Sequence, residues 1–369
     1  MKIGIITIND NNNYGNRLQN YALQQFLYNE IKIEEVNSIW YDLKYTSKTK
    51  VNIFSWKLWI KYLINWKNIR EYLKNFYLKD NIRMYNIGKF TNKISTKFDF
   101  KIKDNLGVEY DYFIVGSDQV WNPNFWSKKD NHANIRFLKF VPKEKRIAYA
   151  ASIAIPKIPK DKEQFFKDSL NEMKAISMRE KAGADLVRKI IGREVPVVVD
   201  PTILLSKEKW QKIEMVPEWY SGEKYILTYF LGNSSSVIEN IAKKNNWKIY
   251  NLMDKNNFDL YTSRVEEFIY LINHAQLVAT DSFHACVFSI LMNTPFLVVN
   301  RQQKGVADMT SRIDTLMELF GYQDRYIVNG KCNLSDEEIL HMDFSNVKVI
   351  QEREIERSTA YMKKALNLE

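Results

Sequence analysis

The chain has 369 residues, 45% of them hydrophobic, which fits two α/β-sized domains that each bury a core. No run of about 18 apolar residues is present, which argues against a spanning helix. The first residues enter a predicted strand directly, without a signal-peptide pattern. Cys286 and Cys332 lack metal-ligand spacing and argue against a zinc site or a disulfide scaffold. We therefore predict a cytoplasmic protein.

The formal net charge of +10 indicates a surface that attracts phosphates, whether on nucleic acid, anionic lipid or a phosphorylated substrate. The lysines are spread along the chain and interleaved with Asp and Glu, and no nucleic-acid-binding signature is present. Nucleic acid is therefore not the expected partner.

The chain opens with a predicted strand, a polar loop and a helix. Residues 3–8 are a β-branched run, residues 9–13 are polar, and apolar residues then recur at helical spacing up to Leu27. In an open α/β sheet such a loop lies at the carboxyl end of a strand, where ligands bind. The start of the helix also offers free N–H groups to an anion.

A basic aromatic helical segment is predicted at residues 54–80, where aromatic and apolar side chains recur at helical spacing between lysines. The first interpretation is a helix that packs its aromatic face on the first domain. The alternative is a helix that contacts a partner or lies peripherally on the inner face of the membrane, with aromatic anchors and a basic polar side.

Strands and helices alternate along the rest of the chain. Further strands are predicted at 110–116, 146–153, 175–178, 195–199, 225–231, 248–252, 276–279 and 296–299. Helices are predicted at 165–173, 182–191, 235–245, 263–273, 286–292, 311–320 and 349–368. Repeated βα alternation is typical of parallel sheets.

The predicted fold class is α/β, with two doubly wound Rossmann-like domains that face each other across a cleft. The N-terminal domain covers residues 1–205 and the C-terminal domain residues 222–330. A C-terminal helix within residues 345–369 is expected to pack back on the first domain.

The strongest chemical motif is TDSFHA at residues 280–285, where a strand ends, a polar turn follows and a helix begins. His284 lies in the first helical turn, where the helix dipole favours the neutral ring and a bound anion favours the protonated ring. A histidine balanced in this way can act as acid or base near neutral pH. Asp281 either orients this histidine or caps the helix. The alternative is a purely structural histidine.

Several cations follow predicted strands. Arg179 ends a strand of the first domain and is suited to clamp a carboxylate or phosphate, or else forms an ion pair with a neighbouring carboxylate. Arg301 and Lys304 follow the strand after His284, and Arg312 begins the next helix.

The loop that begins at Gly116 carries a carboxylate and an aromatic ring. Asp118 could accept the proton of a substrate hydroxyl or cap a turn. Trp121 could stack on a sugar or be buried in the core. Because no GxGxxG, P-loop, HExxH or CxxC pattern is present, we expect neither a cofactor nor a metal.

Six segments, taken in order, resemble the polysaccharide pyruvyl transferases over residues 3 to about 320. They are IITINDNNNYGNRLQNYALQ, YFIVGSDQVWNP, IAYAASI, ISMREKAG, VVDPTILL and VATDSFHACVFSILMNTPFLVVNR. The resemblance implies a fold similar to GT-B glycosyltransferases. It also implies transfer of the enolpyruvyl carbons of phosphoenolpyruvate to a sugar, which forms a ketal across two hydroxyls and releases phosphate.

The resemblance also implies roles for individual residues. His284 matches the family's general acid, Arg179 its donor-binding arginine, and Lys304 or Arg301 a further basic residue. Ser282 stands where well-studied members carry a donor-binding arginine, which leaves the identity of the donor open. The predicted donor-binding set is Arg179, Ser282, Phe283, Arg301, Lys304 and Arg312. The predicted acceptor-binding set is Asn13, Tyr14, Gly15, Asn16, Gln19, Ser117, Gln119 and Trp121. The predicted catalytic set is His284, Asp118 and Asp281.

The sequence therefore predicts a transferase that forms a pyruvate ketal on a bacterial surface glycan, with phosphoenolpyruvate as donor and a sugar or lipid-linked oligosaccharide as acceptor. The alternative is a nucleotide-sugar-dependent glycosyltransferase, or another sugar-modifying transferase, on the same scaffold. A third hypothesis is a non-catalytic protein that binds glycan or lipid.

Overall fold

The computed structural model describes residues 1–41, 78–99, 102, 106–126, 131–230, 235–299 and 311–368. Its strands are β1 Lys2–Ile6, β2 Glu35–Trp40, β3 Thr96–Phe98, β4 Tyr112–Gly116, β5 Arg146–Ala151, β6 Ala175–Met178, β7 Tyr225–Tyr229, β8 Lys248–Asn251, β9 Leu277–Thr280, β10 Phe296–Val299 and β11 Tyr326–Ile327.

The helices follow in the same order. They are α1 Tyr14–Asn29, α2 Leu78–Lys89, α3 Leu106–Glu109, α4 His132–Arg136, α5 Lys160–Asn171, α6 Lys181–Ile191, α7 Lys207–Gln211, α8 Ser236–Asn245, α9 Phe258–Tyr261, α10 Val265–Asn273, α11 Phe283–Met292, α12 Ser311–Phe320, α13 Asp336–Leu340 and α14 Val347–Ala365. Short 3₁₀ helices lie at Phe90–Lys93, Pro123–Phe125, Lys143–Lys145 and Pro201–Leu204.

Two parallel sheets organise the chain. The first has the strand order β3-β2-β1-β4-β5-β6 and the second the order β11-β10-β9-β7-β8. The direction of winding reverses between β1 and β4 in the first sheet and between β7 and β9 in the second. In open α/β sheets, ligands bind outside the carboxyl ends of the strands at such switch points. The predicted α/β class with two doubly wound sheets is confirmed, whereas the predicted domain limits stay a prediction.

Several predicted elements need correction. Residues 195–199 do not form a strand, because Pro196 has no N–H to donate and only Val197 makes an isolated bridge, to Met178. Strands β2, β3 and β11 were not predicted, since they are short or interrupted by polar residues. Of the predicted segment 54–80, residues 54–77 lie outside the described residues, and residues 78–80 begin α2. None of the helices in the described ranges is both long and apolar enough to cross a membrane.

One apolar core joins the two sheets. We call the part of the chain around the first sheet the first lobe and the part around the second sheet the second lobe. The core includes Ile3 and Leu18 of the first lobe together with Tyr225 and Phe268 of the second lobe. The ring of Tyr14 stacks on Phe268 with centroids 4.5 Å apart. The start of α1 is therefore held against α10, and the carboxyl edges of the two sheets face each other across this contact.

The last helix returns to the first lobe. In α14, the Tyr361 hydroxyl donates to the carbonyl of Ala148 in β5 at 2.6 Å, and Gln351 Nε2 donates to the carbonyl of Ile203 at 2.7 Å. Met362 of the same helix is fully buried in the shared core. The helix therefore contributes apolar and polar contacts to the first lobe.

We predict that Met362→Ala lowers the free energy of unfolding by about 2–5 kcal/mol, because it leaves a cavity in a close-packed core. Val349→Ala on the same helix is the matched control, since Val349 is 67% exposed. Urea unfolding followed by circular dichroism measures both variants. Equal stability of the two variants would contradict the packing of α14.

Candidate active site

His284 lies at the switch point of the second sheet. It follows β9 and occupies the first turn of α11, a helix whose residues are all buried between the sheets. A helix that is apolar all round fits only such a buried position. The histidine is 4% exposed, and its ring meets the ring of Phe283 edge-on with centroids 5.3 Å apart.

The imidazole of His284 packs on the first turn of α1, in the opposite lobe. A Cβ added to Gly15 would overlap with Nδ1, Cγ and Cε1 of the ring. Asn13 caps this turn, and its side chain accepts a hydrogen bond from the Gly15 N–H at 2.8 Å. Glycine at position 15 is therefore what allows the histidine to approach the backbone of α1.

Side chains from both lobes meet at the carboxylate of Asp200. Its Oδ2 accepts from Arg179 Nη1 at 2.8 Å and from Ser117 Oγ at 2.9 Å, and lies 3.6 Å from His284 Nε2. Its Oδ1 accepts from the backbone N–H and the hydroxyl of Thr202 at 3.0 and 2.7 Å. Residues from three loops of the first lobe and one helix of the second thus meet at a single buried anion.

Asp200 stays ionised despite its burial. Burial raises the pKa of this carboxyl, but His284, Arg179 and the N–H of Thr202 together outweigh burial and hold the pKa well below its ordinary value. Burial lowers the pKa of Arg179, but the charges of Asp200, Asp118 and Glu180 more than compensate and raise it. The two side chains form a charged pair at the carboxyl edge of the first sheet.

Arg179 is held on three sides. Besides Asp200, its Nη2 lies 3.4 Å from Asp118 Oδ1, and its guanidinium carbon lies 4.5 Å from the centre of the Phe283 ring. The alternative was an ion pair with a neighbouring carboxylate, but the carboxylates that Arg179 contacts are Asp200 and Asp118, which are distant in sequence. Its Nε has no hydrogen-bond partner among the described residues.

The backbone just before Asp118 has an unusual conformation. Gly116 has a φ of 146°, and a Cβ there would overlap with the Tyr149 carbonyl, so the turn after β4 requires glycine. Beyond Arg179, Asp118 lies 3.9 Å from Arg312 Nη1 of α12. Its charge is therefore shared between cations of both lobes.

A cavity of about 240 Å³ opens beside this cluster. Arg179, Asp200, Phe283 and Arg312 line one part of it, and the residues that line the rest include Lys181, Glu318, Glu354 and Arg357. The latter are paired, Lys181 with Glu318 and Arg357 with Glu354. Arg179 and Arg312 also contact the carboxylate of Asp118, so each of these four cations has an anionic neighbour.

Several residues of the predicted acceptor set have structural contacts instead. Trp121 is fully buried, stacks on Phe137 with centroids 4.9 Å apart and donates to the Arg136 carbonyl at 3.0 Å, so its ring offers no face to a sugar. The Tyr14 hydroxyl donates to the Ser263 carbonyl at 3.0 Å.

The rest of the predicted acceptor set lies around the turn after β4 and the start of α1. Gln19 Oε1 accepts from the Ser117 N–H at 3.1 Å, which fixes the turn after β4. Gln119 is partly exposed and accepts from Asn122. Asn16 holds Asp10 through a 2.7 Å hydrogen bond.

Other predicted roles near the histidine also change. The N-cap of α11 is Ser282 rather than Asp281, and the Ser282 side chain makes no capping bond. The carboxylate that faces His284 Nε2 is Asp200. Arg301 and Lys304 lie outside the described residues.

Asp200 was missed as a site residue because it was interpreted only as the end of a predicted strand. It is instead the N-cap of the 3₁₀ helix Pro201–Leu204. The signal available in the sequence was an Asp-Pro-Thr turn within the segment VVDPTILL. Within the described ranges, no group of three or more His, Cys, Asp or Glu side chains is arranged to hold a metal ion.

A sequence model of the polysaccharide pyruvyl transferase family matches residues 13–303, which is more than half of the chain. The chain belongs to the polysaccharide pyruvyl transferase family and is therefore a transferase by family. A search of curated protein sequences found no significant match.

Solved structures similar to this chain include the following three. MurG of Acinetobacter baumannii is 8% identical over 100% of both chains, with a TM-score of 0.40. Alr3699/HepE of Anabaena, in complex with UDP, is 9% identical over 100% of both chains, with a TM-score of 0.45. The UDP-GlcNAc 2-epimerase of Methanocaldococcus jannaschii is 13% identical over 96% of this chain and 99% of its own, with a TM-score of 0.41.

We predict that Asp200→Asn lowers the free energy of unfolding at pH 7 by about 3–5 kcal/mol, because it leaves Arg179 buried with one anion fewer. The folded-state pKa of Asp200 lies below its unfolded value, so this stabilisation is present above about pH 4 and is lost as the pH falls further. Denaturant unfolding at pH 7 and pH 3.5 should show a large difference from wild type that shrinks in acid. The control, Asp185→Asn, removes an exposed pair with Arg188 and should change little.

We predict that Gly15→Ala displaces the His284 ring, because no space exists for the added methyl group. The imidazole NMR signals of His284 should shift, and the melting temperature should fall. Gly107→Ala is the control, since the nearest atom to its added Cβ would be Val141 Cγ1 at an ordinary 3.4 Å. Unchanged histidine signals in the Gly15 variant would refute the contact between α11 and α1.

Proposed function

We propose that this transferase forms a pyruvate ketal on a sugar of a bacterial surface glycan, with phosphoenolpyruvate as donor and His284 as general acid. The observation that carries the proposal is the meeting of His284 from the second lobe and Arg179 from the first at Asp200, 3.6 and 2.8 Å from its Oδ2. Membership of the family supplies the reaction class.

The chemistry needs an acid above the donor's double bond. A proton passes from His284 to the methylene carbon, which becomes a methyl group, and positive charge develops at the neighbouring carbon. One sugar hydroxyl attacks that carbon and a second hydroxyl displaces the phosphate, so two C–O bonds form and the bond to phosphate breaks. Of the two hydroxyl protons, one replaces the proton given by the histidine and the other leaves with phosphate.

Asp200 supports this acid role by its fixed negative charge. An anion 3.6 Å from Nε2 stabilises the protonated imidazole and orients the ring against Gly15. Because Arg179, Ser117 and Thr202 hold Asp200 from the other sides, the carboxylate does not itself have to move or take up the proton.

The donor is expected to enter the cavity beside Arg179, Phe283 and Arg312. Its carboxylate and phosphate require cations, and this end of the cavity carries the guanidinium groups of Arg179 and Arg312. Arg179 is already bound to Asp200 and Asp118. We therefore assign it two roles, which are to neutralise these two carboxylates and to attract the donor. Arg301 and Lys304 remain candidates for further donor contacts.

The competing function is transfer from a nucleotide-linked sugar, and Ser282 favours it because the family's donor-binding arginine is missing there. Titration calorimetry with phosphoenolpyruvate and with a panel of UDP- and GDP-sugars separates the two functions. Binding of phosphoenolpyruvate supports the ketal reaction. Binding of a nucleotide sugar alone would exclude it.

We predict that His284→Asn lowers the transfer rate by roughly 10²–10⁴-fold, the usual contribution of a general acid. Incorporation of deuterium from D₂O into the methylene carbon of phosphoenolpyruvate should fall in parallel, since it requires the same proton transfer. His274→Asn is the matched control, because His274 is exposed and stacks on Tyr270. A His284 variant with wild-type exchange and an unchanged melting temperature would eliminate the acid role.

A further inference from the structure

A second carboxylate lies at the switch point of the first sheet. Asp10 follows β1 and Asp118 follows β4, and these two strands are parallel neighbours. The winding reverses between them, so the loops after their carboxyl ends border the crevice in which ligands of this fold class bind. Asp10 therefore belongs to the same edge as the cluster around Asp200.

One oxygen of Asp10 is fixed and the other is left open. Its Oδ1 accepts from the Asn12 N–H at 3.1 Å and from Asn16 Nδ2 at 2.7 Å. In the described part of the chain, its Oδ2 makes no hydrogen bond and no cation lies within 4 Å of the carboxylate. Asp118, by contrast, lies within 4 Å of two arginines. Asp10 is held in place and still has an oxygen to offer a ligand.

Asp10 and His284 flank the same turn of α1. Asn16, which holds Asp10, directly follows Gly15, which packs against the His284 ring. Two consecutive residues of one helix thus position a carboxylate from the first lobe and an imidazole from the second. A substrate lying over the start of α1 would meet both groups.

Buried polar atoms beside Asp10 lack hydrogen-bond partners among the described residues. Asn11 is fully buried, and no described residue forms a hydrogen bond with its side-chain oxygen or nitrogen. The side-chain oxygen of Asn16, which is 3% exposed, likewise has no partner in the described part of the chain. Unpaired buried amides cost free energy and are rare in folded proteins. A mixture of open donors and acceptors matches a molecule rich in hydroxyl groups.

We infer that Asp10 is the catalytic base that takes the proton from the attacking sugar hydroxyl, with Asn11 and Asn16 binding neighbouring hydroxyls of the acceptor. The inference rests on the proposed function and reassigns to Asp10 the role that the sequence suggested for Asp118. The O–H bond of the acceptor breaks as its oxygen bonds to the donor carbon, and the proton passes to Asp10 Oδ2. The base later returns this proton to restore the histidine.

The surroundings of Asp10 favour this role. Burial raises the pKa of Asp10, and the negative charge of Asp118 raises it further, against the lowering effects of Asn12, Asn16 and Arg17. The charged groups around it are thus Arg17 on α1 and Asp118 after β4, with Arg179 and Arg312 beyond Asp118. A carboxylate with a raised pKa is a stronger base than an ordinary aspartate.

The test uses the full-length protein with phosphoenolpyruvate and, as acceptor, the glycan fraction of cells that lack the gene. Asp10→Asn should reduce ketal formation, measured by mass spectrometry, roughly 10²–10⁴-fold. Deuterium exchange into phosphoenolpyruvate should stay within about twofold of wild type, because that step needs only the acid. Asp10→Glu should restore part of the transfer.

The pH profile distinguishes a base from a structural residue. A base acts only above its pKa, so the transfer rate should fall as the pH is lowered, which gives the pH–rate profile an acidic limb. Asp118→Asn removes a negative charge near Asp10, so it should lower the pKa of Asp10 and move this acidic limb to lower pH. Asp161→Asn, which alters an exposed side chain, is the control and should not move it.

Two results would overturn the inference in different ways. Ketal formation by Asp10→Asn at the wild-type rate, or an acidic limb that does not move in Asp118→Asn, would refute the role of Asp10 alone. A wild-type protein that shows neither deuterium exchange nor ketal formation would refute the proposed function, and the role of Asp10 with it.

Discussion

The buried charge of Asp200 is the interaction on which the arrangement of the site depends. An isolated carboxylate in a protein interior is strongly unfavourable, and this one is balanced by the guanidinium of Arg179, two hydroxyls, a backbone N–H and the imidazole of His284. Each of these groups is in turn fixed by Asp200. Because these partners come from both lobes, the charge of Asp200 is balanced only while the two lobes keep their relative position.

The start of α1 is the second element that both lobes share. Tyr14 stacks on Phe268 of the opposite lobe, Gly15 admits the His284 ring, and Asn16 holds Asp10. Three consecutive residues of α1 therefore have three different roles. Helical geometry explains this division, since neighbouring residues point about 100° apart around the axis and reach different surroundings.

The two switch points explain why the proposed acid and the proposed base lie on opposite walls of the site. The second sheet presents a histidine at the start of a buried helix, and the first sheet presents carboxylates after β1 and β4. Arg179 and Arg312 lie between them and moderate the charge of Asp118. A donor with two anionic groups and an acceptor with hydroxyls would therefore meet different chemistry on the two sides of the cleft.

The residue pattern alone predicted the alternation of strands and helices, the turn that carries His284 and a site position for Gly15, because these depend on neighbours along the chain. Sequence reasoning also identified Arg179 as a clamp for an anionic donor, with an ion pair to a neighbouring carboxylate as the alternative. Three findings came from the folded arrangement instead: Asp200 joins Arg179 to His284, Trp121 is buried, and Asp10 lies near Asp118. Those contacts connect residues from about 20 to more than 100 positions apart, and local periodicity holds no information about which distant loops share one edge of a sheet.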